Sequence, residues 1–177
     1  MSQAIVDALP LLTRDGVCLR EIELFDATEL LALFSREDVS AHLDPPPATL
    51  TDFNKWIALT QSRRAEGRAA CYVLLADEKV AGLFMALRLV GDDRAEIGFA
   101  LSPALWGTGV FLKAVHLYLE FLFNTWGLRT LVGRTQIRNL RGVGAMRKLG
   151  ATVIEESIRN DQPEYVWTLE RPSTTSP

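Results

Sequence analysis

The sequence predicts a single mixed α/β (α+β) domain on one mostly antiparallel sheet, with elements in the order β-α-α-β-β-β-α-β-α-β-β. Three observations lead there. Residues 70–76, 80–90 and 94–101 are apolar runs joined by short polar turns, Asp77-Glu78-Lys79 and Gly91-Asp92-Asp93, the pattern of an antiparallel meander. Gly107-Thr108-Gly109 then opens a long helix, and the strand beyond it, 128–135, is expected to lie parallel to 94–101 because a helix joins the two. Two last runs, 152–157 and 164–170, flank a turn at Asn160-Asp161 and close as a hairpin.

In chain order, residues 16–25 alternate well enough for a first strand. Asp26 stands as an N-cap with Glu29 three residues on, a capping-box spacing before L-L-A-L-F, so a first helix is expected over 27–39. Pro45-Pro46-Pro47 breaks the chain; Thr49 or Thr51 then caps a second helix carrying Phe53, Trp56, Ile57 and Leu59 and ending near Gly67. The long helix sets Leu112, Val115, Leu119, Leu122, Phe123 and Trp126 on one stripe and Lys113, His116, Glu120 and Asn124 on another, a core face and a wet one. Gly127 stands at its end. Asn139 caps a further helix in which Leu140, Val143, Met146 and Leu149 recur every third residue, stopped by Gly150.

A chain of 177 residues is expected to form one domain, here 1–171, with P-S-T-T-S-P at 172–177 as a flexible tail. Such a length buries about 70% of the surface its unfolded chain exposes, enough to stand without a disulfide or a metal. The net charge of −3 supplies no basic excess for nucleic acid. Cys18 and Cys71 lack metal-ligand spacing and read as reduced thiols of a cytoplasmic protein. The first ten residues show no basic region followed by an apolar run, so no signal peptide is expected. The most apolar stretch, 110–126, carries Lys113, His116, Glu120 and Asn124 and is no membrane span.

The stretch that organises the chain is R-A-E-I-G-F-A-L-S-P-A-L-W-G-T-G-V-F-L-K, residues 94–113: a strand, a glycine turn and a helix start. Two glycines bring the backbone close to a ligand, and the unpaired N–H groups of a first helical turn face it with the positive end of the helix dipole. A phosphate suits that position, and a steep turn with no ligand is the other reading. A Rossmann fingerprint is disfavoured because Leu112 stands at the third glycine position, hairpins precede the loop and no βαβ unit comes before it. No G-K-[ST] follows, which excludes a P-loop.

Together with that element order, three stretches carry a resemblance over about residues 16–169: F-S-R-E-D-V at 34–39, A-E-I-G-F-A-L-S-P-A-L-W-G-T-G at 95–109 and R-N-L-R-G-V-G-A-M-R-K-L-G-A at 138–151. On them the chain resembles the GNAT superfamily of acyl-CoA-dependent N-acetyltransferases, and more closely its branch that acetylates ribosomal-protein N-termini. The resemblance implies acetyl-CoA as the acyl donor and a primary amine as acceptor, a peptide N-terminus or a small molecule, in a monomer or homodimer. It implies that the central parallel strands splay and that the pantetheine arm lies in the gap against Phe99, Ala100 and Leu101. The pyrophosphate then falls on the loop amides, among Leu105, Trp106, Gly107, Thr108, Gly109, Val110 and Phe111. The family loop Q/R-x-x-G-x-G/A reads A-L-W-G-T-G here, so Ala104 replaces its first polar residue. Asn139 stands where relatives place an asparagine near the pantetheine, and is also a plain helix cap. Gly142 and Gly144, each costing about 1 kcal/mol in a helix relative to alanine, imply close approach by the cofactor or a neighbouring element. Arg141, Arg147 and Lys148 are either partners of the nucleotide phosphate or solvated surface charges.

Acetyl transfer to an amine needs a proton acceptor, stabilisation of the thioester oxyanion and a proton for the thiolate. Glu96 is the base that the resemblance implies; the other reading pairs it with Arg94 or Arg88. The tyrosine acid of many relatives is Met146 here, which leaves open a domain that binds acyl-CoA without catalysis. His116 reads as structural; His42, just before the proline break, could reach the acceptor site, but nothing in the sequence singles it out. Relatives form the acceptor cleft from the first two helices and the last hairpin, which here offer Phe53, Trp56, Asp44, Glu164 and Tyr165.

Overall fold

The computed structural model describes residues 8–89 and 93–172; the expected turn at Gly91-Asp92 and the tail after Pro172 lie outside the described residues. Two short antiparallel strands come first, β1 (Leu12–Arg14) and β2 (Val17–Glu21), turned by Asp15 and Gly16 at φ 51° and 78°. β1 was not expected, since three residues give no alternation to read and only pairing makes them a strand. The strand expected over 16–25 stops at Glu21, where a 3-10 turn, Leu24–Asp26, takes over. Asp26 is not a side-chain cap of the next helix. Its buried carboxylate takes the Arg20 guanidinium at 2.6 and 2.8 Å and the Glu23 N–H at 2.8 Å, fixing the corner between strand and helix. Glu29 likewise serves a distant partner, accepting the Val80 N–H at 2.6 Å.

The one helix expected over 27–39 is two, α1 (Ala27–Phe34) and α2 (Glu37–Ser40). Ser35 Oγ donates to the Leu31 carbonyl at 2.7 Å, and Arg36 is extended at ψ 123°. A hydroxyl that bonds the turn before it competes with the helical ladder, and here the ladder stops. α3 (Leu50–Ala65) is capped by Thr49, whose Oγ1 accepts the Asp52 N–H at 3.1 Å, and Gly67 closes it at φ 70°.

The meander is β3 (Ala69–Ala76), β4 (Lys79–Arg88) and β5 (Arg94–Leu101), antiparallel throughout. Asp77 and Glu78, at φ 49° and 63°, make its first turn by themselves, and Lys79 already belongs to the strand. α4 (Val110–Glu120) runs on through a π turn, Phe121–Thr125, to Gly127. β6 (Thr130–Gln136) lies parallel to β5, and α5 (Leu140–Lys148) leads to the hairpin of β7 (Thr152–Arg159) and β8 (Gln162–Glu170), turned by Asn160 and Asp161 at φ 50° and 59°. The sheet order is β1-β2-β3-β4-β5-β6-β8-β7.

Packing follows the faces. Leu19, Tyr72, Phe84, Ile97 and Leu131 join Val115, Tyr118 and Leu122 of α4 and its π turn, whose Lys113, His116, Glu120 and Asn124 stay exposed. On the other face Ile22, Val73, Leu83 and Ala100 meet Leu30, Phe53 and Ile57 of α1 and α3. Val143, Met146, Ala151 and Trp167 form a smaller cluster under α5. No helix among the described residues is long and apolar enough to cross a membrane.

Candidate active site

The pairing of β5 with β6 ends at Ile97 opposite Gly133, although β5 continues to Leu101 and β6 to Gln136, so the strands part beyond that point. The Ser102 N–H bonds the Ala81 carbonyl at 2.7 Å, which makes Leu101 and Gly82 a non-hydrogen-bonded pair. By alternation, the main-chain groups of Leu101 and Phe99 therefore point away from β4 and into the gap. Trp106 Nε1–H takes the Leu101 carbonyl at 3.0 Å. The Phe99 N–H and C=O and the Leu101 N–H form the remaining edge. Ala100 turns its main chain to β4 and its side chain into the α1–α3 core, so it brings no main-chain bond to the gap. The gap opens into a cavity of about 660 Å³.

The loop after β5 is a 3-10 turn, Pro103–Leu105, followed by Gly107 at φ 73° and Gly109 at φ 83°, left-handed positions that strain any residue with a Cβ. The amides of Leu105, Trp106 and Thr108 are committed within the loop, to the carbonyls of Ser102, Pro103 and Leu105. Thr108 Oγ1 donates to the Leu105 carbonyl at 2.7 Å and receives the Val110 N–H at 3.4 Å. The amides of Gly107, Gly109, Phe111 and Leu112 have no acceptor among the described residues. A Cβ built on either glycine would meet nothing within 4 Å. Four residues whose N–H groups lack an acceptor thus border the cavity at the start of an 11-residue helix, an arrangement that receives an anion. Leu112, which the sequence reading omitted, joins this set; Leu105 and Trp106 border the cavity with their side chains instead.

α5 makes the opposite wall. Asn139 Oδ1 accepts the Gly142 N–H at 2.9 Å as a true cap. A Cβ on Gly142 would lie 2.7 Å from Asn139 Nδ2 and 2.8 Å from Thr135 Cγ2, so this glycine answers to β6 and its own cap, whereas Gly144 borders the cavity with nothing within 4 Å. Met146 is buried against Gly133 and borders the cavity with a thioether that has no proton to give. The Arg141 guanidinium stacks over the Trp106 ring, 3.6 Å from its centroid, and ties α5 to the loop across the gap. Arg147 is exposed, and Lys148 lies at the cavity edge.

The sheet face toward α1 and α3 carries the charge. Glu96 sits one residue before the strands part, 3.8 Å from the guanidiniums of both Arg134 and Arg159. Those two arginines share the buried Glu164 at 2.7 and 3.6 Å, which also receives Ser157 Oγ at 3.0 Å. Arg159 and Asn160 then reach Asp44 at 2.9 and 3.0 Å. Arg88, one of the two expected partners of Glu96, stacks on Trp126 and donates to its carbonyl.

None of the residues expected to line the acceptor cleft borders the cavity. Phe53 is core, Trp56 packs edge-on against it, and Tyr165 packs edge-on against Trp167 on the α5 side. Asp44 and Glu164 belong to the ion-pair network. On this face Asp38, Val39, His42 and Leu43 border the cavity in their place. The available signal was the spacing of Asp38 and His42, four apart on a helical turn.

A family model described as an acetyltransferase (GNAT) domain matches residues 17–152. An FsC-acetyl coenzyme A-N(2)-transacetylase of Aspergillus fumigatus is 32% identical over 63 residues, 36% of this chain and 27% of that protein. The chain therefore spans only about a quarter of this relative. An uncharacterized N-acetyltransferase p20 of Bacillus licheniformis is 23% identical over 139 residues, 76% of this chain and 78% of that one. Among solved structures, a ribosomal-protein-S5-alanine acetyltransferase from Vibrio fischeri superposes with a TM-score of 0.80 at 15% identity, over 96% of this chain and all of that one. Mycobacterium smegmatis RimJ in complex with CoA-disulfide gives a TM-score of 0.80 at 14% identity, over 99% and 93% of the two chains. At these identities the structures establish a shared fold.

Proposed function

The chain belongs to the GNAT acetyltransferase family, and from that premise we propose that it transfers an acetyl group from acetyl-CoA directly to a primary amine, on a protein N-terminus or a small molecule. The observation that carries this reading is the set of free amides at Gly107, Gly109, Phe111 and Leu112, at the end of a strand whose open edge leads into a gap in the sheet. The pyrophosphate of coenzyme A suits that cradle, with Arg141 at its rim as a counter-charge. The pantetheine arm carries amides of its own and pairs with the open edge at Phe99 and Leu101 as an added strand does. Asn139 and Gly144 flank the same space.

The acceptor then approaches from the face that carries Glu96. Glu96 takes the first ammonium proton, directly or through a water; the amine nitrogen bonds to the acyl carbon, the C–S bond breaks, and the second nitrogen-bound proton leaves with the thiolate. Acyl-CoA binding without turnover is the second reading, and the buried Met146 thioether, where many relatives carry a tyrosine, is the observation behind it.

The test is incubation with acetyl-CoA and a panel of peptide and small-molecule amines, following free thiol and acetylated product, with coenzyme A affinity measured by calorimetry. Turnover of at least one amine is expected, and affinity should fall at least about ten-fold in Gly107→Val, which strains the loop and fills the space above the amides. Binding with no product from any amine would favour the second reading. Glu96→Gln is expected to slow turnover about 10²–10⁴-fold. An unchanged rate and pH profile would remove Glu96 as the base.

A further inference from the structure

We infer that His42 is a catalytic residue of this transfer, a neutral imidazole that donates its Nε2–H to the thioester carbonyl oxygen as negative charge develops there. The inference rests on the acetyltransferase reading. His42 borders the cavity from the short segment 41–44 between α2 and the proline run. Its Nδ1 is buried and without a hydrogen-bond partner, while the ring as a whole is half-buried, so the accessible edge is that of Nε2. A buried N–H with no acceptor is rarer and costlier than a buried lone pair with no donor. The hydrogen of the neutral ring therefore belongs on Nε2, facing the cavity.

The surroundings fit a donor and not a base. Asp38, four residues earlier on the same wall, is engaged by Arg36 through two bonds of 3.1 and 2.9 Å and does not hold the imidazole. The other charged groups on the cavity, Arg134, Arg141 and Lys148, are cations and offer no carboxylate to orient the ring as a base. The segment is fixed at both ends: Arg138 donates to the Ala41 carbonyl at 3.4 Å, and Arg159 and Asn160 hold Asp44 at 2.9 and 3.0 Å. A donor held in place before charge develops needs no reorganisation during reaction, and one such hydrogen bond is worth about 10²–10³ in kcat. The proton balance is that of the proposed transfer: Glu96 receives one proton, the thiolate the other, and Nε2 keeps its own.

Two readouts test this. The first needs no turnover. The chain has two histidines, so the ring nitrogen shifts of the ¹⁵N-labelled protein are assigned by comparison with His42→Gln. At neutral pH His42 is expected as the neutral Nε2–H tautomer; an Nδ1–H tautomer or an imidazolium overturns the inference.

The second readout uses the best acceptor of the amine panel. His42→Ala is expected to lower kcat about 10²–10³-fold while coenzyme A affinity stays within about two-fold. His42→Gln keeps an N–H near the Nε2 position but takes up no proton, and should recover to within about ten-fold of the unaltered chain with the same pH profile. His42→Glu, an acceptor only, should stay at the alanine level. A glutamine variant as slow as alanine, a glutamate variant faster than glutamine, or an alanine variant at full rate each overturns the donor role and leaves the acetyltransferase reading intact. An unaltered chain that acetylates nothing overturns both.

Discussion

Tyr72 and Tyr118 meet edge-on, 5.6 Å between ring centroids, and differ in what their hydroxyls reach. Tyr118 donates to the Ala70 carbonyl at 2.8 Å; the Tyr72 hydroxyl is buried without a partner. Burial, reinforced for Tyr72 by the charge of Glu21 and for Tyr118 by Cys71 and Tyr72, pushes both phenols above the ordinary tyrosine value. Neither borders the cavity, so neither replaces the acid that Met146 removes. Their stability effects should be opposite. Tyr118→Phe removes a buried hydrogen bond and is expected to cost about 1 kcal/mol, whereas Tyr72→Phe removes a hydroxyl whose unpaired burial itself costs about 1–3 kcal/mol and should be neutral or stabilising. Urea unfolding of the two variants, at unchanged m-value, is the measurement. A loss at Tyr72 equal to that at Tyr118 would contradict the assignment of partners.

At the scale of elements, the strand glycines near the gap differ in what a side chain would strike. A Cβ on Gly82 would lie 2.9 Å from the Ala100 carbonyl oxygen, backbone of the strand that borders the site. A Cβ on Gly133 would lie 2.8 Å from Met146 Cε, the free end of a flexible side chain. Gly82→Ala is therefore expected to cost about 1–3 kcal/mol and to weaken coenzyme A binding by moving β5; Gly133→Ala should cost less than about 1 kcal/mol as the thioether swings aside. Thermal unfolding and calorimetric titration of both variants check the order. The sequence was most legible where an element ends on its own residues: Thr49, Asn139, Gly150 and the Asn160-Asp161 turn needed only local chemistry to be read. It was least legible where the partner is distant. Asp26 and Glu29 have the spacing of a capping box, yet their carboxylates serve Arg20 and the Val80 amide. The break at Ser35 reads as helix until Ser35 Oγ is seen on the Leu31 carbonyl.

The whole molecule is built of unequal halves, and the gap between them is where prediction from sequence thinned out. The glycine loop lies within one stretch, and its turn was readable there; which of its amides bond within the loop was not, since Leu105, Trp106 and Thr108 turn theirs inward. The face that carries Glu96 is assembled from the 41–44 segment, β6 and the last hairpin, brought together by bonds such as Arg159 to Asp44 that span more than a hundred residues. On one side of the gap, β2 to β5 are enclosed between α4 and the pair α1 and α3 by two large buried clusters. On the other, Trp167 of β8 shares a small cluster with Val143, Met146 and Ala151 under α5, and no residue of β7 is fully buried. Four residue pairs of β5 with β6, the Arg141–Trp106 stack and the Asp44 ion pair cross between them. Few buried contacts mean local opening at lower free energy, so amides of α5 and β7 should exchange with solvent well before those of β3 to β5. Under the proposed function, coenzyme A touches both sides of the gap and stabilises only conformations in which the two stand in register. Its addition should slow exchange at Gly107, Gly109, Phe111 and Leu112, where N–H groups gain acceptors, and along α5, while the outer edge of β7 stays fast. Hydrogen exchange resolved to single amides, with and without coenzyme A, makes the comparison. Protection of α5 with no change at the four loop amides would place the phosphates elsewhere and remove the observation on which the proposed function stands.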